Sequence, residues 1–272
     1  MYETLVAAFT KLYRYQHLAS IVAWDQAAMM PSNGNDARGA AMAELAVLMH
    51  DTLTAPALTS AFADVAPADD AERASVREMR RMWQAATVLP ASLVEAKSLA
   101  GTRCEHAWRA QRKANDWTGF LANWRPVVEC ARREATLLAE STGLSPYDTL
   151  VDRYDPGMTS AMLEPMFAEL KRWLPKLVDD VLTAQRGDPI IAAVGPFPIA
   201  NQRELGLELM ALLGFDFDAG RVDVSAHPFC GGVPEDVRIT TRYRDDDFIQ
   251  AMMGIVHETG HARYEQGLPR EW

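Results

Sequence analysis

The sequence predicts a mainly α-helical protein with a small antiparallel β-sheet near its end, and three observations support this prediction. Apolar residues recur at helical spacing over most of the chain up to Leu213. Residues 237–243 instead alternate with a period of two, which is typical of a strand. A last helical pattern covers residues 248–266 and follows the strand at once. We therefore expect the sheet to lie beside this helix.

Composition limits the classes of function. The chain has 272 residues, of which 49% are apolar and 24% charged, as in ordinary globular proteins. A net charge of −10 argues against binding to nucleic acid or to an anionic membrane surface. The N-terminus lacks a signal-peptide pattern, and no apolar run is long enough to cross a membrane. The three widely spaced cysteines favour reduced thiols and a cytoplasmic location: Cys104, Cys130 and Cys230.

The N-terminal segment predicts a helical hairpin within residues 1–50. Leu5, Phe9 and Leu12 begin an apolar stripe at helical spacing. Residues 29–34 break the pattern, and an alanine-rich helix follows to about residue 50. Two helices joined by a tight break indicate an antiparallel pair.

Further helices are predicted at residues 70–86, 91–114, 118–141, 160–184 and 201–213. Residues 142–157 are expected to form a loop because glycine, proline and serine are frequent there. Pro175 is expected to kink the helix that contains it. A segment rich in proline and glycine, residues 187–198, indicates a boundary between two regions.

The predicted strand has one apolar and one polar face. Val237 and Ile239 point to the first face, and Arg238 and Thr240 point to the second. An aspartate among residues 245–247 is placed to cap the following helix, and a glycine and a proline end it.

The final helix carries the most informative motif, a histidine pair with an intervening glutamate. His257 and His261 are four positions apart, so both imidazoles project from one helix face and can reach one metal ion. Glu258 lies about 100° around the helix, from where it can accept a proton from water at that metal. This pattern is typical of zinc hydrolases.

A third metal ligand is harder to find in this sequence. Gly267 stands where one zinc-peptidase class has a third histidine, and Tyr264 stands where that class requires glycine. Glu265 lies one turn beyond His261, and ligands from three successive turns of one helix converge poorly. Glu271 is a weak candidate beyond the helix. We therefore expect the ligand to be a glutamate from a later helix and the chain to be a fragment.

Three more residues are candidates for substrate binding. Arg238 and Thr240 share the polar face of the strand and suit a peptide backbone or carboxylate. Alternatively, Arg238 pairs with Asp236 and fixes the loop. His227 precedes a proline. It either lines the substrate cleft or stabilises the oxyanion, or it hydrogen-bonds the backbone of its own loop.

These residues resemble the M32 metallocarboxypeptidases, also called the thermostable carboxypeptidase 1 or carboxypeptidase Taq family. The matching segments are His257-Glu258-Thr259-Gly260-His261 with residues 262–269, His227-Pro228-Phe229, Asp236-Val237-Arg238-Ile239-Thr240, Trp24-Asp25-Gln26 with Met29-Met30-Pro31, and Tyr154-Asp155-Pro156-Gly157-Met158.

The resemblance implies a neurolysin-like helical zinc-peptidase fold, a homodimer, and release of single amino acids from peptide C-termini. It assigns zinc or cobalt to His257 and His261, and general-base catalysis to Glu258. Residues 1–200 are then a helical N-terminal region, and residues 201–272 begin the catalytic region. The family's later motifs, which supply the glutamate ligand and a carboxylate-binding arginine, do not occur here. The chain alone is therefore expected to be inactive.

Two other functions remain open from the sequence. One is a non-catalytic helical scaffold or dimerisation module with a vestigial zinc motif. The other is a different helical zinc peptidase, such as an endopeptidase or oligopeptidase.

Overall fold

A computed structural model describes residues 1–189 and 192–270 and confirms a mainly helical protein with a small sheet. The helices are α1 (Tyr2–Ala28), α2 (Asn35–Leu53), α3 (Pro56–Asp64), α4 (Asp70–Val88), α5 (Ala91–Ala114), α6 (Trp117–Thr142), α7 (Pro146–Asp152), α8 (Ser160–Gln185), α9 (Ile199–Leu212) and α10 (Phe248–Gln266). The strands are β1 (Gly220–Val224), β2 (Phe229–Val233) and β3 (Asp236–Thr241). Within the described residues, no helix combines the length and apolarity needed to span a membrane.

Four of the N-terminal helices pack against one another in the order α1, α2, α5 and α6. Helices α1 and α2 contact each other across a short 3-10 turn at Ser32–Gly34, α2 packs on α5, and α5 packs on α6. Leu5 of α1, Leu58 and Phe62 of α3, and Val76 of α4 share one buried cluster. Because α3 completes this cluster, the apolar stripe of α1 is covered by residues close to it in the chain.

Two short helices were not predicted from the sequence. Both α3 and α7 begin with a proline in the first turn, a position where proline favours helix initiation rather than ending a helix. In α7, the Ser145 hydroxyl also accepts a hydrogen bond from the Asp148 amide at 3.1 Å. The expected loop at residues 142–157 therefore contains one helix, and α8 continues through Pro175.

The sheet is mixed, whereas the sequence led us to expect an antiparallel one. Its strand order is β1-β3-β2, with β1 parallel and β2 antiparallel to β3. A tight turn after Val233 returns the chain from β2 to β3, whereas β1 pairs with the opposite edge of β3. The first two strands escaped sequence analysis because they are five residues long, and β2 contains two adjacent glycines.

The central strand β3 has a helix against each of its faces. Val237 and Ile239 are fully buried against α9 and α10, where they contact a core that includes Met210 and Ile255. The opposite face of β3 meets α1. The sheet thus separates α1 from the histidine-bearing helix, whose first turn is capped by the Asp247 side chain.

Helices α9 and α10 cross closely at Gly206. A Cβ atom added at this position would lie 2.4 Å from Cδ1 of Ile255. Ile255 is 1% exposed and has little space to move. We expect Gly206→Ala to lower the free energy of unfolding by about 1–3 kcal/mol through overpacking. The matched control is Gly101→Ala in α5, where a Cβ atom meets nothing within 4 Å. That variant should be neutral or stabilised by up to about 1 kcal/mol. Urea denaturation of both variants checks this, and equal effects would contradict the close crossing.

Candidate metal centre

The two histidines of α10 form the centre of the candidate site. Nε2 of His257 lies 3.2 Å from Nε2 of His261, and the two rings are nearly perpendicular at 87°. Both residues are solvent-exposed. Their spacing of one helical turn brings the imidazoles together, so two ring nitrogens converge on one accessible point.

This geometry fits a divalent metal ion. Nitrogen ligands lie about 2.0–2.1 Å from zinc, so two of them in a tetrahedral site are about 3.3 Å apart. The 3.2 Å separation in this chain is close to that value. Among residues 1–189 and 192–270, no group of three or more His, Cys, Asp or Glu side chains is placed to hold a metal. The described residues therefore offer a two-histidine site, and Glu271 lies outside them.

Glu258 lies on the inner side of the helix. It is only 7% exposed. The pKa of Cys230 in β2 is raised to about 12, mainly by burial of its thiol and next by the negative charge of Glu258. The carboxylate is therefore close to the sheet and largely shielded from bulk water. The next residue, Thr259, is fully buried and donates its hydroxyl to the Ile255 carbonyl at 2.7 Å.

The far end of α10 is fixed by a reciprocal side-chain contact. The Gln266 amide donates to the carbonyl of Asp216 at 2.8 Å and accepts from the amide of the same residue at 3.0 Å. With the Asp247 cap at the other end, both ends of the helix have defined hydrogen-bond partners. The histidines thus lie on a helix that is held at its start, its end and its sheet-facing side.

Arg238 lies on the opposite side of the sheet from α10. Its guanidinium group pairs with Asp236, with one contact of 2.9 Å, and its centre lies 4.5 Å from the ring of Trp24 in α1. Arg221, the cross-strand neighbour of Arg238, approaches the same ring at 5.2 Å. This is the local pairing that the sequence offered as an alternative, and it separates Arg238 from the histidines.

Thr240 and His227 also have structural contacts. Thr240 is fully buried, and its hydroxyl oxygen accepts from the Phe229 amide at 3.1 Å and from the Ser225 hydroxyl at 2.8 Å. Thr240 therefore leaves no exposed surface for a substrate. His227 is exposed and lies in the connection between β1 and β2. Its backbone carbonyl accepts a hydrogen bond from the Ser225 hydroxyl at 2.6 Å.

The arrangement around Trp24 was missed in the sequence. Each arginine on this ring has its own aspartate two residues away on the same strand: Asp223 for Arg221, and Asp236 for Arg238. The two segments, Arg221-Val222-Asp223 and Asp236-Val237-Arg238, are mirror images in sequence. That repeat indicates an ion pair on each of the two strands, but it does not point to Trp24 as their shared partner.

A mainly helical fold with paired histidines and an adjacent glutamate on one helix is typical of metal-dependent peptidases. The sequence model of the carboxypeptidase Taq (M32) metallopeptidase family matches residues 4–272. Thermostable carboxypeptidase 1 of Thermus thermophilus is 37% identical over 97% of this chain and 56% of its own length. Carboxypeptidase 1 of Bacillus subtilis is 30% identical over 96% of this chain and 53% of its own length.

Solved structures give the same result. Metallocarboxypeptidase 1 of Trypanosoma cruzi superposes with a TM-score of 0.85 at 43% identity, covering 99% of this chain and 55% of that one. The chain belongs to the M32 carboxypeptidase Taq family, as its motifs indicated. Its 272 residues span about half the length of these relatives.

The Asp236 contact predicts a pH dependence of stability. Its pKa is lowered mainly by the hydrogen bond from Arg238, with a smaller effect of His17. The Asp236 carboxyl therefore loses its proton at lower pH in the folded chain than in the unfolded chain. The contact stabilises the fold fully above about pH 4, and this stabilisation is lost as the pH falls below that value. Asp236→Asn should lower the free energy of unfolding by about 1–3 kcal/mol at pH 7.

The difference in the free energy of unfolding between wild type and Asp236→Asn should shrink as the pH falls well below 4. Urea denaturation at pH 7 and at a pH well below 4 measures it. The matched control is Asp246→Asn, which breaks an exposed pair with Arg244 at the same spacing and should change stability little. A difference for Asp236→Asn that is independent of pH would contradict the assignment.

Proposed function

We propose that this chain carries the metal-binding part of a zinc-dependent carboxypeptidase that removes single amino acids from peptide C-termini. The observation that carries the proposal is the 3.2 Å approach of the His257 and His261 Nε2 atoms beside the nearly buried Glu258. Family membership supports peptide hydrolysis as the reaction class.

The two histidines and the glutamate of the motif have different tasks in this proposal. His257 and His261 bind as neutral imidazoles through Nε2. When bound, a divalent metal polarises the peptide carbonyl and lowers the pKa of water towards about 7. Glu258 accepts the proton that the attacking water loses and delivers it to the amine nitrogen of the departing amino acid. Its shielded position keeps the carboxylate away from bulk solvent.

We further propose that a glutamate outside the present sequence completes the metal site. The two-histidine site of the described residues and the greater length of the relatives support this. The 272-residue chain alone should then bind metal loosely and hydrolyse peptides poorly. The proposal also includes a homodimer and a cytoplasmic location. The three free cysteines support the cytoplasmic location.

Metal binding by the chain tests the role of the histidines. Titration with Co²⁺, followed by its visible absorption, should give one equivalent bound by the wild type. His257→Ala and His261→Ala should each weaken binding by at least about tenfold, because one of only two protein ligands is lost. His106→Ala, on α5, is the control and should leave the affinity unchanged. Unchanged affinity in either α10 variant would contradict the site.

Catalysis tests the role of Glu258. In the longest protein that the native reading frame encodes, Glu258→Gln should retain the metal but lose about 10²- to 10⁴-fold in kcat on a short blocked peptide, because the general base is removed. The matched control is Glu265→Gln on the same helix, which should keep both metal and activity. Near wild-type turnover by Glu258→Gln would refute the general-base role.

A further inference from the structure

A cavity lies among the N-terminal helices, away from the candidate metal centre. Its volume is about 520 Å³, and its lining residues come from α1, α2, α5, α6 and the ends of α4 and α7. None of the described lining residues belongs to the sheet or to α10. Sites for small molecules usually measure about 300–1,000 Å³, so this cavity is large enough for a ligand.

Part of the cavity lining is apolar. The wall is formed by aliphatic and thioether side chains of Met42, Leu89, Leu93 and Val94. Such a wall favours the hydrocarbon part of a ligand, because contact removes apolar surface from water on both partners.

The lining also includes two cations that share one buried carboxylate. Glu134 is 2% exposed and pairs with Lys97 at 2.5 Å and with Arg153. The two cationic side chains remain 46% and 41% exposed. Since one carboxylate faces two positive groups, this part of the lining has an excess positive charge, and both cations keep donors for another partner.

Neighbouring groups do not cancel this charge. Glu105, which also lines the cavity, already accepts from Arg109 at 2.7 Å and from Gln26 at 3.1 Å. The pKa of Lys97 is lowered by burial first and by the positive charge of Arg153 second. An added anion would relieve this repulsion.

The cavity also unites two sequence segments that the proposed metal site does not use. Gln26 belongs to the Trp24-Asp25-Gln26 segment, and Arg153 directly precedes Tyr154-Asp155-Pro156-Gly157-Met158. These segments carried the family resemblance in the N-terminal part. They are far apart in the chain, and the fold brings Gln26 of the first segment and Arg153, next to the second, to one cavity.

We propose that this cavity binds a small monocarboxylate with an apolar body. The carboxylate is held by Lys97 and Arg153, and the hydrocarbon part contacts the apolar wall. Both a peptide's C-terminal residue and a free aliphatic acid have this chemistry. The inference goes beyond the proposed hydrolase activity and does not depend on the metal site.

Calorimetric titration of the 272-residue chain with three leucine-like probes tests the proposal. N-acetyl-L-leucine and 4-methylpentanoate should bind saturably at millimolar concentration, whereas the neutral N-acetyl-L-leucinamide should bind at least about tenfold more weakly. Tighter binding of N-acetyl-L-leucine identifies a peptide C-terminus as the ligand, and tighter binding of 4-methylpentanoate identifies an aliphatic acid.

Two variants locate the binding and change it in opposite directions. Lys97→Met should weaken binding of the carboxylates by about tenfold, because a charged donor is lost. Glu134→Gln should strengthen binding, because it removes the competing carboxylate from both cations. Since Glu134→Gln gains affinity, damage to the fold cannot imitate its expected effect.

The control is Lys176→Met, which removes a lysine–carboxylate pair of similar length, 2.6 Å to Asp180, on the exposed surface of α8. It should leave the affinity unchanged. The proposal is overturned if neither carboxylate binds, if the amide binds as tightly as the acids, or if Glu134→Gln binds the acids no better than the wild type.

Discussion

The structure around the candidate metal centre depends on the docking of strand β3 between two helices. Alternate residues of the strand point in opposite directions, so one face packs on the histidine-bearing helix and the other on α1. Val237 and Ile239 form the first interface, and Asp236 and Arg238 form the second. The position of α10 relative to α1 is therefore set through the sheet, in which β2 also contacts both helices.

The two interfaces differ in their physical basis. Burying a side chain such as Val237 or Ile239 stabilises by about 1.5–3 kcal/mol, whereas a cation–π contact contributes about 0.5–2 kcal/mol. The apolar interface with α10 is therefore the stronger of the two. The Arg221–Trp24–Arg238 contact has stricter geometry, because a guanidinium plane must lie over an indole ring. It is suited to fixing the relative orientation of α1 and the sheet.

The sequence predicted the long helices, strand β3 and the histidine pair because each has a strong local pattern. The 3.6-residue period of α1, the two-residue alternation of β3 and the four-residue spacing of His257 and His261 all report on neighbouring positions. Strand β1 also alternates, but only over Arg221-Val222-Asp223-Val224, and its parallel pairing with β3 depends on residues outside it. The mixed sheet was missed for this reason.

The candidate substrate residues show the same limit of local patterns. Alternation correctly put Arg238 and Thr240 on the polar face of β3, but it did not reveal what covers that face. A polar strand face can bind a ligand or a second element of the same protein. Trp24 lies more than two hundred positions earlier in the chain, and no local period connects it to Arg238. The Asp236-Arg238 spacing indicated only the ion pair.

The most direct test of the account is the position of a bound metal ion. Anomalous diffraction at the zinc edge, from crystals of the chain soaked in zinc, should reveal an ion about 2.0–2.1 Å from Nε2 of both His257 and His261. Ions bound to each histidine separately, or bound elsewhere with the two imidazoles turned apart, would contradict it.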